Sequence, residues 1–299
     1  MRLSVLINNY NYAAYLGAAI ESVLAQEYPD KEIIVVDDGS TDGSRDILAG
    51  YGASIIPVLK ENGGQASCFN AGFARATGEV LLLLDSDDAF LPGKLRHVAE
   101  MLERQDAGWC FDRVCTVQGG SIDKPIAARH VDYRKSMRGG SFPDLEVPTS
   151  GLSFRREILS KILPMPVAQD VVLSDNYLKF SAAYLAPGLV VETPLTFQRL
   201  HETNRYTGAD RSNQLRARIM VRTGVELSRR HAGLRRIGMH LISGGLALQR
   251  ASWPAMIRAA RHHGMEAGLK TGDRLLVGAL ALRKRIAGRG RLSSKRGGA

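Results

Sequence analysis

Cysteine is scarce in this chain, whose 299 residues include only Cys68, Cys110 and Cys115. An odd number of cysteines without CxxC spacing argues against both a disulfide framework and a zinc site. Unpaired cysteines are usually buried, and they persist in a reducing compartment. We therefore expect three reduced thiols in a cytoplasmic protein.

Long apolar runs are also missing. The two longest, at residues 80–84 and 275–282, fall well short of the roughly 18 residues that span a bilayer. Polar residues appear by Asn8, too early for the apolar region of a signal peptide. The expectation is a soluble protein, or one that is peripheral on the inner face of the membrane.

Glycine-rich phosphate-binding motifs do not follow the first predicted strands, whose ends are acidic or carry amides instead. The lack of GxGxxG and of a P-loop argues against a nicotinamide-binding Rossmann domain and against a P-loop ATPase. Hydrophobic residues nevertheless make up 44% of the chain, which is enough for a sizeable core.

The basic charge is concentrated towards the C-terminus. Residues 211–299 contain 20 Lys or Arg and three Asp or Glu, whereas residues 1–210 contain 20 basic and 27 acidic residues. Basic and apolar residues are interleaved at 234–237 and 281–286, a pattern typical of helices that lie on anionic membranes. Packing on the rest of the protein, self-association and nucleic-acid binding are the alternatives. Trp253 is the only aromatic residue of this region, which disfavours single-stranded nucleic acid.

The remainder of the chain alternates short apolar runs with segments of helical periodicity. The pattern predicts strands at 3–7, 32–36, 54–59 and 80–84 and helices at 13–26, 44–50 and 65–76. It then predicts a helix up to about 105, strands at 109–117 and 190–200, a short strand and helix within 152–163, a helix at 170–183, and helices beyond 210. This order predicts an α/β fold with a Rossmann-like, doubly wound, mostly parallel sheet and a C-terminal helical extension.

Three polar clusters, at residues 8–11, 37–40 and 85–88, follow predicted strands. Ligands of open parallel sheets bind beyond the carboxyl ends of the strands, so the clusters are expected to meet at one edge.

The cluster at residues 85–88 carries the clearest chemistry. The carboxylates of Asp85, Asp87 and Asp88 repel one another, which raises their pKa values or requires a cation. Mg²⁺ or Mn²⁺ suits carboxylates together with phosphate oxygens, so an acidic site with a metal could still bind a diphosphate. A helix cap or a plain loop is the alternative.

Five segments together resemble glycosyltransferase family 2 in order and spacing. They are SVLINNYN at 4–11, IVVDDGSTD at 34–42, ENGGQ at 61–65, NAG at 70–72 and LDSDD at 84–88. The resemblance covers about residues 1–205. It implies a GT-A fold and an inverting enzyme of cell-envelope polysaccharide synthesis. Such an enzyme transfers a sugar from a UDP- or GDP-sugar, with Mn²⁺ or Mg²⁺, to a glycan, glycolipid or lipid-linked saccharide.

The resemblance also implies which residues contact the nucleoside: Asn8, Tyr10, Asp37, Asp38, Gln65 and Ser86. Asn8 and Tyr10 would line the base pocket, and Ser86 would face the ribose. Asp38, with Asp37 beside it, would hydrogen-bond the base or the ribose. Turn formation remains the alternative for the two aspartates, and loop packing for Asn8 and Tyr10.

Around the diphosphate, the resemblance makes Asp85 and Asp87 a DxD pair, with Asp87 as the direct metal ligand. His201 would complete the metal shell or touch the diphosphate, or would simply be a packed or surface histidine. Arg199 would neutralise the leaving group.

The resemblance places the catalytic base at the start of a helix, where the sequence 172–178 offers Asp175. An inverting transfer needs such a base for the proton of the acceptor hydroxyl. Asp170 is a rival, and a structural role at the helix N-terminus is the alternative for Asp175. Residues 149–151 match an acceptor-side segment or a simple turn.

We predict a glycosyltransferase domain at 1–205, with a nucleotide-binding half at 1–105 and an acceptor half at 106–205, followed by a basic extension at 206–299. The order of residues 249–253 differs from the QxxRW signature of processive family members, and no membrane-spanning segment is predicted. We therefore expect the transfer of a single sugar. A nucleotidyltransferase is an alternative, although the basic loop after its first strand is missing. A non-catalytic nucleotide-sugar-binding module is another.

Overall fold

A computed structural model of the chain describes residues 1–116, 126–167, 175–201, 209–249 and 251–294. The chain groups into two compact units. The first unit contains Met1–Arg134, Asp144–Asp170 and Leu178–His201, and the second contains Lys135–Pro143, Val171–Tyr177 and Glu202–Ala299. The predicted divisions at residues 105 and 205 stay predictions.

Within the described residues, nine strands of the first unit form one sheet in the order β3-β2-β1-β4-β8-β6-β9-β5, with β7 also paired to β9. Strands β1 to β4, β6 and β9 run in one direction. The strands are β1 (Leu3–Asn9), β2 (Lys31–Asp37), β3 (Ile56–Leu59), β4 (Val80–Asp85), β5 (Ala89–Phe90), β6 (Trp109–Cys115), β7 (Ala128–Val131), β8 (Leu152–Arg155) and β9 (Gly188–Phe197).

The α-helices follow the same alternation along the first part of the chain and then form a helical C-terminal region. They are α1 (Ala13–Leu24), α2 (Ser44–Gly50), α3 (Gln65–Arg75), α4 (Lys94–Arg104), α5 (Arg134–Arg138), α6 (Arg156–Leu159), α7 (Asp175–Leu185), α8 (Ala209–Arg230), α9 (Arg235–Leu248), α10 (Trp253–Glu266) and α11 (Thr271–Ser294). The predicted α/β class, with its mostly parallel sheet and helical C-terminal extension, is confirmed.

The core of the first unit lies on the faces of the sheet. Strands β1 and β4 are buried along almost their entire length because they occupy central positions, as continuous apolar runs predict. Helix α1 covers one face with Leu16, Ile20 and Val23, which are fully buried at helical spacing. The polar clusters lie at the carboxyl ends of these buried strands.

The second unit has an apolar core of its own, formed by α8 to α11. Its buried members include Val225, Ile242, Leu246, Met256 and Val277. Helices α8 and α9 approach closely at Gly224, where an added Cβ would lie 2.6 Å from the Gly238 carbonyl oxygen. No helix in the described parts of the chain combines the length and the apolar character needed to cross a membrane.

The start of β9 allows no side chain at Gly188, because a Cβ there would overlap the Trp109 indole ring. We predict that Gly188→Ala lowers the free energy of unfolding by about 1–3 kcal/mol through overpacking. Urea unfolding followed by circular dichroism measures this change.

Gly50→Ala is the matched control, since Gly50 ends α2 with nothing within 4 Å of an added Cβ. It should be neutral or stabilising. Equal stability of Gly188→Ala and the wild type would contradict the packing described at Trp109.

Candidate active site

Parallel pairing brings the three polar clusters to neighbouring strand ends. Asn9 of β1 is the register partner of Asp37 on β2, and Asn8 is the partner of Asp85 on β4. The strands extend one or two residues further than the sequence predicts, so these side chains stand on the sheet itself. Their backbone is therefore held by the ladder of hydrogen bonds rather than by a loop.

The Asp37 carboxylate is fully buried and is hydrogen-bonded within the protein. Its oxygens accept hydrogen bonds from Asn9 Nδ2, the Ser40 amide and Arg45 Nε, each at 3.0 Å. Burial alone would raise the pKa of Asp37, but the hydrogen bonds from Ser40, Asn9 and Arg45 outweigh it and hold the pKa below its usual value. Asp37 is therefore an ionised carboxylate that orders the turn after β2.

Asp38 accepts hydrogen bonds in a similar way from the loop before α3. Its carboxylate accepts hydrogen bonds from the amides of Gly63 at 2.9 Å and Gly64 at 2.7 Å, and it pairs with Lys60. The turn passes so close to the loop that a Cβ at Gly39, which has φ +79°, would lie 2.8 Å from a backbone nitrogen. These contacts are those of a turn and a loop, and the nucleoside contacts implied for both aspartates stay a prediction.

Asn8 stands apart from these satisfied groups. Its side chain is 9% exposed, and neither its Nδ2 nor its Oδ1 has a hydrogen-bond partner among the described residues. Buried amides are normally paired, so an unpaired one is typical of a ligand-binding position. Tyr10 is 40% exposed, and Gln65 Nε2 donates to Asp85 Oδ1 at 3.0 Å.

The acidic residues of the turn after β4 differ in their exposure. Asp85 and Asp87 are partly exposed, whereas Ser86 and Asp88 are buried. The backbone closes on itself, with the Asp88 amide donating to the Asp85 carbonyl at 3.0 Å. Only the partly exposed pair therefore presents carboxylates to a ligand.

Asp88 ties this turn to the rest of the sheet. Its carboxylate accepts hydrogen bonds from Ser150 Oγ at 2.6 Å and from the Arg199 amide at 3.0 Å. Burial raises the pKa of Asp88 to about 6, and the neighbouring Asp87 charge adds to this, although the Ser150 hydrogen bond opposes it. The role of Asp88 is structural.

His201 and Arg199 reach the same turn from the segment after β9. His201 Nε2 lies 3.1 Å from Asp87 Oδ2, and Arg199 Nε donates to the Asp87 carbonyl at 3.2 Å. The imidazole stacks on Tyr15 with ring centroids 4.6 Å apart, and Tyr12 packs edge-on at 5.7 Å. The structure thus brings together Asp87, His201 and Arg199, three of the residues singled out in the sequence.

A divalent cation fits this pair of side chains. Two adjacent ligands of an octahedral ion at 2.0–2.1 Å lie about 2.9 Å apart, close to the 3.1 Å between Asp87 Oδ2 and His201 Nε2. The described residues form a compact three-ligand group only at His262, His263 and Glu266, in the second unit. Asp87 offers the carboxylate with which a divalent cation is held together with substrate phosphates, and His201 offers an imidazole nitrogen beside it.

A buried ion pair, which the sequence analysis missed, lies behind Ser150. Lys94 and Asp112 are both fully buried and 2.7 Å apart. Lys94 Nζ also donates to the Ser150 carbonyl at 2.8 Å and to Thr196 Oγ1 at 2.6 Å. Residues 149–151 form a buried 3₁₀ turn before β8, and a role of this segment on the acceptor side stays a prediction.

Asp175 lies in the first described turn of α7, and the residues just before it fall outside the described part of the chain. It is half-buried, and its Oδ1 accepts a hydrogen bond from the Asn176 amide at 2.9 Å. The rival Asp170 lies outside the described residues.

The tyrosines that contact His201 were also missed. Tyr12 and Tyr15 stand just before and within α1, and Arg199 lies over the Tyr15 ring at 5.3 Å. A signal was present in the sequence, since tyrosine recurs at 10, 12 and 15 directly after the first strand.

Comparison with protein families gives a match over more than half of the chain. The model described as glycosyl transferase family 2 matches residues 4–163. The chain belongs to glycosyltransferase family 2. The resemblance stated from the five segments is confirmed.

Relatives within the family align over different lengths. An uncharacterized glycosyltransferase of Nostoc sp. is 37% identical over 220 residues, which cover 70% of this chain and 68% of the relative. TuaG of Bacillus subtilis, whose name assigns it to teichuronic acid biosynthesis, is 36% identical over 132 residues, 42% of this chain and 52% of the relative.

Solved structures of similar fold confirm the GT-A architecture of this family 2 protein. TarS of S. aureus in complex with UDP is 16% identical with a TM-score of 0.61, over 100% of this chain and 92% of that one. Mannosyltransferase PcManGT of Pyrobaculum calidifontis, in complex with GDP-Man and Mn²⁺, is 19% identical with a TM-score of 0.54, over 95% and 87%.

The raised pKa of Asp88 predicts a pH dependence of stability. In the folded state the pKa of Asp88 is raised to about 6, whereas the usual pKa of this group is 3.8. Stability therefore falls as pH rises through this window, because the folded state binds more protons than the unfolded state. Relative to Asp88→Asn, the wild type should lose about 2 kcal/mol of unfolding free energy between about pH 4 and pH 7.

Urea unfolding of both proteins in metal-free buffer with EDTA measures this difference. A difference that rises with pH, or stays level, would contradict the burial of an ionisable Asp88.

Proposed function

We propose that this family 2 glycosyltransferase transfers one sugar from a nucleoside-diphosphate sugar to a hydroxyl of a saccharide or lipid-linked acceptor, with inversion. One observation carries the proposal. Asp87, paired with His201 and backed by Arg199, stands at the carboxyl edge of the parallel strands beside the unpaired amide of Asn8. Such an edge combines carboxylate, imidazole and guanidinium groups, which suit a diphosphate with its cation.

On the donor side, the unpaired amide of Asn8 supports a contact with the nucleobase, since a base edge offers both donors and acceptors. Tyr10, Gln65 and Ser86 complete the proposed nucleoside pocket. TarS has been crystallised with UDP-GlcNAc and PcManGT with GDP-Man, which supports a donor of the same class. UDP-sugars and GDP-sugars are both candidate donors.

Asp37 and Asp38 serve this pocket indirectly in our proposal. Their carboxylates hold the turn after β2 and the loop before α3, whose first helical residue is Gln65. The direct contact of Asp38 with the base or ribose, implied by the resemblance, stays a prediction.

Asp87 and His201 would hold the divalent cation, and Asp85 would support them as the other member of the DxD pair. Asp85 also accepts a hydrogen bond from Gln65. When bound, Mn²⁺ or Mg²⁺ supplies positive charge that stabilises the diphosphate as it leaves. The Mn²⁺ in the PcManGT complex supports a metal of this kind. Stacking on Tyr15 fixes the orientation of the His201 ring before any ligand arrives.

In the proposed reaction, Asp175 removes the proton from the acceptor hydroxyl as its oxygen forms a bond to the anomeric carbon. The bond between that carbon and the phosphate oxygen breaks, and its electron pair stays on the diphosphate. Arg199 stabilises the developing negative charge. Attack from the face opposite the diphosphate inverts the anomeric centre.

The name of the B. subtilis relative supports an acceptor from cell-envelope polysaccharide synthesis. A cytoplasmic location stays a prediction from the reduced cysteines.

We predict that Asp87→Ala abolishes the Mn²⁺ dependence of donor binding and lowers donor turnover at least about 100-fold. The cation contributes several kcal/mol to charge stabilisation, and each 1.36 kcal/mol corresponds to a factor of ten. Calorimetry and hydrolysis assays with UDP-GlcNAc and GDP-Man, each with and without Mn²⁺, measure both effects.

Asp46→Asn is the control for this experiment, because Asp46 is an exposed acid in the first turn of α2. It should behave as the wild type. Full, Mn²⁺-dependent turnover by Asp87→Ala would overturn the metal assignment.

The base assignment predicts that Asp175→Asn lowers kcat by about 10²–10⁴-fold and leaves the Kd of the donor unchanged. Donor hydrolysis, in which water replaces the acceptor, measures kcat, and calorimetry measures Kd. The Asp46→Asn variant again serves as the control. Unchanged kcat at saturating donor would return Asp175 to a structural role at the start of α7.

A further inference from the structure

Helix α11 is apolar on two opposite sides. One side contributes Val277 and Ala281 to the core of the second unit, where both are fully buried. The other side carries Leu275, Ala279, Leu282 and Ile286, spaced by four, three and four residues, which defines a single stripe along a helix. We call these four residues the α11 stripe.

Three members of the α11 stripe are exposed, whereas Leu282 is partly buried against the core of the second unit. Leu275 is 57% exposed and Ile286 62%, and the neighbouring Leu276 is 46% exposed. Trp253, at the start of α10, is 42% exposed and lines the same groove as Ala279, Leu282 and Ile286. Large apolar side chains exposed together along one helix face form a candidate interaction site.

The surroundings of the stripe are basic. Arg283 lines the groove, and Arg258 and Arg261 are further exposed basic residues of α10. Residues 211–299 contain 20 Lys or Arg against three Asp or Glu. The partner that complements this surface therefore carries negative charge beside an apolar phase.

A second copy of the chain does not meet that requirement. It would place two surfaces of the same strong positive charge against each other, and such surfaces repel. An anionic phospholipid bilayer meets both conditions, because apolar side chains enter its acyl boundary while Arg and Lys contact its phosphates. Tryptophan is also enriched at the membrane interface, where one end of its ring system is apolar and the other polar.

We propose that the α11 stripe and Trp253 dock the protein on the surface of anionic phospholipid bilayers. The surface lies in the second unit and uses none of the residues assigned to the donor or the cation. The proposal therefore stands or falls separately from the proposed transfer reaction.

Tryptophan fluorescence provides the direct test, since the chain has two tryptophans and the other, Trp109, is fully buried. Vesicles of phosphatidylcholine with 30% phosphatidylglycerol should shift the emission of the wild type to the blue, and brominated lipid should quench it. Pure phosphatidylcholine should have a much weaker effect. Trp253→Phe, which removes the reporter, should abolish the shift.

A paired substitution tests the stripe itself. Leu275→Ser with Ile286→Ser should weaken co-sedimentation with the anionic vesicles at least tenfold. Leu59→Ser is the matched control, because Leu59 is 54% exposed but belongs to β3 of the first unit. Circular dichroism checks that both variants are folded.

Two outcomes would overturn the proposal. One is a wild-type emission that neither shifts nor is quenched in the presence of anionic vesicles, a measurement that needs no variant. The other is a paired variant that binds vesicles as the wild type does. If sedimentation velocity also shows that this variant alone has lost a dimer, the stripe belongs to a contact between copies of the chain.

Discussion

The ammonium group of Lys94 is fully buried in the first unit, where it pairs with Asp112 and donates to the Ser150 carbonyl. Taking two charges out of water costs several kcal/mol per ion, and only close pairing and further hydrogen bonds compensate for it. Removing one partner of such a pair typically costs 3–5 kcal/mol. Ser150 is consequently fixed in place, and its hydroxyl in turn holds the Asp88 carboxylate and the turn after β4.

This arrangement separates acidic residues that hold the protein together from those that face a ligand. Asp37, Asp38 and Asp88 are buried and accept hydrogen bonds from the protein. Asp87 stays partly exposed and contacts His201. The buried Asp88 carboxylate holds the turn that carries Asp87, so the position of the exposed carboxylate is set by the folded protein.

Sequence patterns predicted the parts of the fold that are encoded locally. Strands β1, β2 and β4 are continuous apolar runs. Their order along the chain and their parallel arrangement follow from the alternation with helices. Strands β5 and β7 have two and four residues, and their pairing with β9 depends on distant chain segments that no local pattern records.

The same limit applies to the site. Asp87 and Asp88 are neighbours of identical chemistry, yet one is partly exposed and the other buried, because the contact with Ser150 comes from 62 residues further along the chain. The Lys94–Asp112 pair was missed because a lysine at the start of a helix is usually exposed. Family resemblance supplied His201 and Arg199, which local patterns would not have singled out.

The central claim is that a divalent cation binds between Asp87 and His201 together with the donor diphosphate. Anomalous scattering from crystals grown with UDP and Mn²⁺ tests it most directly, since it locates manganese independently of activity. We expect a manganese peak within bonding distance of an Asp87 carboxylate oxygen and of His201 Nε2. A peak only at His262, His263 and Glu266, or bound UDP with no manganese beside Asp87, would contradict the account.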